Sequence, residues 1–406
     1  MSLVDVKVEL GFNEGTFGDA LFTLDSATDS ILGTSRLAGV TFADVSSHVM
    51  ALSVSRGRSR QLDSFNAGTA TVRFNNRDRA FDPTNTASPY YPSIVPRCLV
   101  RITCKNLPVF YGYVNDWDIE YDVADNDVAS VSCSDAFMIM SNQTLRQFTP
   151  SVEATGTRID NTLSRAEVDF RGGRRIDAGN STLGGFQVDA NTNVLNYLRQ
   201  IEKSEPGFLF VASDGDLVFV ERGTPPPAEV LTFADDGSGI PYRSLSNQFG
   251  DELLFNYVVA KSPAGAEQVK SDEESINKYQ ISDLSYSDLL NSSTTEVADI
   301  ANSFLSMFKE PKLRFTGFSV QMLGLTDGQQ DSVLGLDLTD FVYVLKSYAV
   351  GTPTSKTELA YVSGIFHDVR PGSHTINFAV ESATQALFLV LGDTLVGTLD
   401  NNLLDF

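Results

Sequence analysis

The chain has 406 residues, 42% hydrophobic and 20% charged, an ordinary globular balance with apolar content for more than one core. Its 52 acidic residues outweigh 30 basic ones, so the formal charge is −22 and binding of nucleic acid over the general surface is excluded, because phosphate binding needs a cationic face. MSLVDVKVEL shows no charged segment followed by an apolar one, so no secretory signal is read there. The longest apolar run, ALFLVL at 386–391, is too short to span a bilayer.

Residues 1–145 predict one β domain. VDVKVEL alternates with period two, as do segments at 50–54, 69–74, 99–104, 110–114 and 128–133. The 27 Phe and 13 Tyr, with recurring Val and Thr, favour strands. NNRDRAFDPTNTASPYYPSIVP (75–96) predicts a long loop whose prolines and aromatics pack it. Residues 146–245 predict a small mixed domain. RGGRR (171–175) and STLGG (181–185) read as loops. A helix follows an Asn/Thr cap at 191–193, with Val194, Leu195, Leu198 and Ile201 on one face and Pro206-Gly207 ending it. FLFVASDGDLVFVER then reads as a hairpin turning at Asp214-Gly215, and TPPP (224–227) breaks the chain.

Residues 246–392 return to β structure, with strand-like LLFNYVVAKS, FTGFSVQM, DFVYVLKS, ELAYVSGIF and TINFAVES. A helix is embedded at 294–309: Ser293 and Glu296 read as a capping box, and Val297, Ile300, Ala301, Phe304, Leu305 and Phe308 share a face up to Pro311. The end, 393–406 (DTLVGTLDNNLLDF), is apolar and acidic with no core of its own, an extended segment laid on another surface. The class is therefore β-rich α+β, multidomain, with a mixed unit between two β units.

Chemistry is sparse. The three histidines (His48, His367, His374) form no pair at metal spacing and belong to no nucleophile motif. Asp235-Asp236, Asp272-Glu273-Glu274 and Asp125/Asp127 lie in polar loops, and neither DVADNDVAS nor ADDGSG completes a calcium loop. RGGRR and STLGG lack the Lys and the strand–loop–helix setting of a phosphate loop. No catalytic, metal or cofactor site is predicted. Cys98, Cys104 and Cys133 are odd in number without zinc spacing, which reads as buried free thiols of a protein folded in a reducing cytoplasm. The charge is uneven: 56–105 carries Arg56, Arg58, Arg60, Arg73, Arg77, Arg79, Arg97, Arg101 and Lys105 against Asp63, Asp78 and Asp82. That stretch is either a solvated face or a basic surface meeting an acidic neighbour in an assembly.

The segment FADVSSHVMALSVSRGRSRQLDSFNAGTATVRFNNRDRAFDPTNTASPYYPSIVPRCLVRI, with PVFYGYVNDWD after it, resembles the N-terminal region of minor tail proteins of long-tailed, siphovirus-type actinobacterial phages. Arg56-Gly57-Arg58, AGTA (67–70), DRAFDP (78–83) and YGYVNDW (111–117) match that pattern in order. The helix and hairpin of 198–222, the segments NYVVAKS, ESINKYQ and KEPKLRF, and the ending LGDTLVGTLDNNLLDF are similar to later parts of the same family. Residues 19–40 depart from it as an insertion, and Phe42 stands where the family often has Trp.

The resemblance implies a baseplate or tail-tip hub: a homotrimer whose chains each contribute two tube-type β-barrel domains, 1–145 and 246–392. Such a ring continues the tail-tube channel. It docks the distal tail ring, the tape measure protein and tip or fibre proteins, and genome DNA passes through without specific binding. In that setting the expected interface residues are Arg56, Arg58, Arg60, Arg77 and Arg79, with Leu395, Leu399, Leu403, Leu404 and Phe406 anchoring the C-terminal segment. Acidic residues would line the channel and repel phosphate weakly. Two rivals are a carbohydrate-binding adhesion module using Tyr90, Tyr91 and Trp117, and a tail enzyme attacking the cell wall.

Overall fold

The computed structural model describes residues 5–13, 40–58, 60–123 and 126–383. Seven strands come first: β1 (Val6–Asn13), β2 (Val40–Asp44), β3 (Val49–Gly57), β4 (Asn66–Asn75), β5 (Leu99–Cys104), β6 (Leu107–Glu120) and β7 (Val128–Ser134). They pair antiparallel in the order β3-β4-β7-β6-β5-β1-β2. β4 shows the driving pattern: Gly68, Ala70, Val72 and Phe74 are buried, and Thr69, Thr71, Arg73 and Asn75 alternate with them in solvent. β3 follows the same parity, burying Leu52 and Val54, and places Arg56 in the next inward position.

The middle region holds α1 (Ala136–Ser141), β8 (Thr144–Leu145), β9 (Glu153–Ala154), α2 (Thr155–Leu163), β10 (Arg174–Ile176), β11 (Thr182–Leu183), β12 (Thr192–Asn193), α3 (Val194–Ser204), β13 (Phe208–Val211) and β14 (Leu217–Val220). α3 has the expected cap and face: the Asn193 side chain accepts from the Asn196 N–H, and Val194, Leu195, Leu198 and Ile201 are buried. β13 and β14 form the expected hairpin, with Gly215 at φ +95° in its turn. Part of RGGRR, read as loop, is a strand instead. Arg174–Ile176 runs parallel to β14, whose open edge offers backbone groups that need partners. The helices and hairpin share a core that includes Phe137, Met140, Ile159, Leu198 and Phe219.

The last region contains β15 (Leu231–Ala234), β16 (Ser244–Gln248), β17 (Tyr257–Ala260), β18 (Gln268–Ser271), α4 (Glu273–Tyr279), β19 (Asp283–Tyr286), α5 (Thr294–Phe308), β20 (Arg314–Gln321), α6 (Asp327–Leu334), β21 (Phe341–Ser347), β22 (Ser355–Arg370) and β23 (Ser373–Ser382). The expected helix is α5, burying Val297, Ile300, Ala301, Phe304 and Phe308. Ser293 caps it by accepting from the Thr295 N–H at 3.1 Å, but the capping box does not close. Glu296 turns away, accepting from the Asn291 side-chain amide at 3.1 Å and the Thr182 N–H at 3.3 Å. α5 packs on its own three-stranded sheet, β18-β17-β19, around a separate core with Val258, Ala260 and Leu289.

The other strands of this region do not form a sheet apart from the first. They continue it, in the order β16-β20-β23-β22-β3, with β21 and β15 branching from β22, to make 13 strands. β22 is the junction. Gly364–Val369 pair with β3, Ser355–Tyr361 pair with β21, and β23 runs along the other edge. Every residue from Glu358 to Ile365 is buried, because both faces of this stretch are covered. One large core accordingly runs through both β regions, with Val54, Val72 and Phe74 in the same cluster as Phe318, Val362 and Ile365. The β-rich class with helices is as expected, and among the described residues the sheet does not close into a barrel.

Cys98, Cys104 and Cys133 are free and buried. Burial pushes the Cys98 thiol up to about 12 and the Cys104 thiol to about 11, and raises Cys133 as well. A colorimetric thiol reagent at pH 8 should therefore leave the native protein unlabelled over hours and titrate all three thiols in urea. Rapid labelling of the native chain would contradict this packing.

Candidate functional site: the arginine joint between the regions

The motif Arg56-Gly57-Arg58 lies where β3 meets β22. A guanidinium in a core-facing position must be paired, since an isolated buried charge is very costly. Arg56, only 7% exposed, pairs with Asp337 in the loop between α6 and β21, and its Nη2 also donates to the Val211 carbonyl at 3.4 Å. The second oxygen of Asp337 accepts from the Ser213 N–H and hydroxyl, both at 3.0 Å. Burial works against this carboxylate, yet Arg56 and the Ser213 N–H hold its pKa below the usual range. One ion pair thus ties the first β region, the hairpin and the last region together. Gly57 sits at φ +127°, and a Cβ there would fall inside the backbone of Ser363 and Gly364. Only glycine permits this approach of the two strands.

Arg58 makes the second half of the joint. Its Nε and Nη2 donate to the two oxygens of Glu381 at 2.8 and 2.5 Å, a bidentate pair. Nη2 also donates to the Tyr361 hydroxyl at 2.9 Å, which donates to Glu381 at 2.5 Å. The guanidinium lies 5.2 Å from the ring centroids of both Phe65 and Phe208. Burial opposes its charge, but Tyr361 and Glu381 together keep its pKa above the ordinary arginine value.

The other matched segments also fall on contacts. In AGTA, the Gly68 N–H donates to Asp135 at 2.6 Å, and the other Asp135 oxygen caps α1 by accepting from the Phe137 N–H at 2.9 Å. In YGYVNDW, the Tyr111 ring stands against Gly215 at the hairpin turn. In DRAFDP, Phe81 is fully buried and stacks on Phe74, Tyr90 and Trp117 at 4.4, 5.5 and 6.1 Å. Asp82 accepts from the Arg79 Nε, the Thr84 N–H and the Tyr121 hydroxyl, each at 2.8 Å, which outweighs burial and holds its pKa low. The 75–96 loop is packed. Tyr90 and Trp117, candidates for sugar stacking, each give a face to Phe81, and the Trp117 Nε1 donates to the Val95 carbonyl at 3.1 Å. Tyr91 is 41% exposed.

His48 lies 3.2 Å from Asp78, edge-on to Phe81. His367 and His374, seven residues apart in sequence, meet across β22 and β23 with Nδ1 and Nε2 3.2 Å apart. Burial, then His374 and Arg56, keep His367 well below its usual pKa, and burial brings His374 down to about 4. Among the described residues no cluster of three His, Cys, Asp or Glu could hold a metal ion, and no helix is long and apolar enough to cross a membrane.

The basic stretch does not form one face. Arg56 and Arg58 turn inward, whereas Arg60 has a 74% exposed side chain 3.6 Å from Glu252. Arg77 is exposed and bonded to Asn126, and Arg79 is half-exposed over Asp82. Arg101 pairs with Glu9 at 2.7 Å, and Lys105 reaches Asp331 of α6 at 2.9 Å. Leu395, Leu399, Leu403, Leu404 and Phe406 lie outside the described residues. Asp337, Glu381 and Tyr361 escaped sequence reading. Glu381 is out of phase with Ile376, Phe378 and Val380, so alternation marks it as solvent-facing. The available signal was indirect: two arginines in phase with Leu52 and Val54 require buried acids.

β2 and β16 end the large sheet, and no strand among the described residues pairs with their outer edges. β16 is mostly exposed and is followed by Phe249, 69% exposed.

This fold is that of phage tail proteins. The 43 kDa tail protein of prophage MuSo2 from Shewanella oneidensis matches with TM-score 0.57 and 13% identity, over 94% of this chain and 100% of that one. The tail protein from Neisseria meningitidis MC58 matches with TM-score 0.60 and 11% identity, over 94% and 97%. A PdpA–VgrG complex matches with TM-score 0.50 and 9% identity over 94% of this chain, which spans 65% of the chain matched. No family model matches the sequence, and no curated protein matches it.

Removing one partner of a buried ion pair strands the other charge, a loss of about 3–5 kcal/mol. Arg58→Met should therefore lower stability by that order in urea unfolding, and adding Glu381→Gln should recover part of it. A double variant no better than the single would argue against the pairing. A second expectation concerns pH. Burial raises the Asp135 carboxyl from 3.8 to about 7. Its contribution is full below the unfolded value and fades as pH rises through about 7. His367 and His374, held low, act oppositely, losing their contribution as pH falls from 6.5 towards about 4. The variant isolates one side: Asp135→Asn should gain on the parent by roughly 2–4 kcal/mol between pH 4 and pH 7.5. A difference that stays constant with pH would show Asp135 ionised in the fold.

Proposed function

We propose that this chain is a structural subunit of a phage tail tip, a hub and not an enzyme. The observation that carries the reading is the tail-protein fold matched along nearly the whole chain. In this reading the regions 1–145 and 246–392 are two tube-type units, 146–245 is a mixed insert and 393–406 is an assembly strap. Three copies make a ring with six related units that continues the tail channel. The distal tail ring and tape measure protein dock on one side and tip or fibre proteins on the other. DNA passes without specific binding, consistent with the net charge of −22. The chain is made in the host cytoplasm and resides in the virion.

Two features of the fold support assembly. The outer edge of β16 presents backbone groups that a neighbouring copy can extend, and a head-to-tail contact of that kind makes a ring where its rotation closes. The buried joint holds the β regions in one orientation, which a ring of fixed curvature requires. Arg60, Arg77 and Arg79 are the basic residues positioned to reach a neighbour, and Leu395, Leu399, Leu403, Leu404 and Phe406 anchor the strap.

A chain lacking 393–406 should fold with an unchanged circular dichroism spectrum yet enter virions poorly, scored by quantitative mass spectrometry of purified particles. Normal incorporation would refute the strap. Averaged images of the tail tip should show three copies per particle, and another symmetry would refute the trimer.

A further inference from the structure

Arg314, the first residue of β20, is 8% exposed and has no ion-pair partner within 4.0 Å among the described residues. Its Nη1 lies 3.5 Å from the Lys312 carbonyl, whereas Nε and Nη2 have no hydrogen-bond partner there. Glu358, the carboxylate acting on it through space, gives its Oε2 to Lys356 at 2.7 Å, while its Oε1 is also buried without a hydrogen-bond partner among the described residues. A buried cation left this way is the kind of group that an incoming anion completes.

Arg314 lines a cavity of about 170 Å³, where Arg60, Thr316, Phe315 and Val380 also stand. That volume is close to a void that holds one benzene-sized group, about 150 Å³. Its two carboxylates are already matched, Glu381 to Arg58 and Glu252 to Arg60, so Arg314 is the unmatched charge. Ser382, the last residue of β23, lines the same cavity. The chain therefore leaves the described structure beside it. The 23 residues beyond, TQALFLVLGDTLVGTLDNNLLDF (384–406), carry Asp393, Asp400 and Asp405, no Lys or Arg, and leucine at seven positions.

We infer that residues 384–406 dock back onto this cavity of their own chain before assembly, an aspartate carboxylate meeting Arg314 and Arg60 while a leucine side chain fills the apolar part. The inference rests on the strap reading above and adds where the strap waits. An apolar segment left in water promotes aggregation. A tether of a few residues gives an effective concentration on the order of millimolar, so the nearest complementary cavity captures the segment first.

The test uses the full chain with a benzophenone amino acid at Thr316, an exposed position on the cavity wall. Irradiating the purified monomer should give an adduct of unchanged monomer mass, mapped by peptide mass spectrometry to 384–406. Arg60→Glu should cut its yield at least fivefold with Tm unchanged, since that side chain is mostly exposed; Arg314 itself is too buried to substitute safely. Adducts elsewhere, adducts of dimer mass, no adduct, or a yield indifferent to Arg60→Glu would each overturn the inference. Poor virion entry of the shortened chain without this adduct removes the docking alone, whereas normal entry removes the strap reading.

Discussion

Two guanidiniums placed inside a protein core organise this molecule. Strand parity sends Arg56 of β3 and Arg58 just beyond it inward, and buried charges persist only when paired and hydrogen-bonded. The partners come from far along the chain: Asp337, Glu381 and Tyr361. Satisfying them brings β3 against β22 and sets the 208–220 hairpin between the two β regions, with Gly57 removing the Cβ that would block the approach. The continuous 13-stranded sheet follows, because β22 pairs with β21 along its first half and with β3 along its second.

The segments that carry the resemblance all fall on contacts within the chain. Arg56-Gly57-Arg58 ties three regions, AGTA caps the helix that starts the middle region, YGYVNDW meets the hairpin turn, and DRAFDP packs the long loop. None of these segments gathers reactive groups in a cleft. Residues that would suit a ligand by type, such as Trp117, Tyr90 and the paired histidines, are engaged with neighbours in the chain.

Much of the fold is legible in the sequence. Segments with period-two alternation became β1 and β3 to β7, since a strand with one buried face must alternate, and strand-like apolar runs became β20 to β23. α3 and α5 were legible because each combines a capping side chain with an apolar stripe. α1, α2, α4 and α6 were not: α1 and α4 have only six and seven residues, α2 offers just Ile159 and Leu163 as large apolar residues, and α6 is largely polar. β10 was read as loop because its three residues gain their partners only from the edge of β14, over forty positions away.

By itself the sequence determined the main strands and the two longest helices, that the thiols are buried, and that the charge opposes contact with DNA. These properties depend on residue type and local spacing, which hydrophobic burial and capping read directly. Only the tertiary structure decided which charges are available to a partner. Arg56 and Arg60 are alike in composition and lie four residues apart, yet one is buried on Asp337 and the other stands in solvent. The sheet that joins the β regions was decided there too. Strand pairing is a long-range choice, and the carboxylates that meet the two arginines lie at positions in the chain that carry no local mark of it.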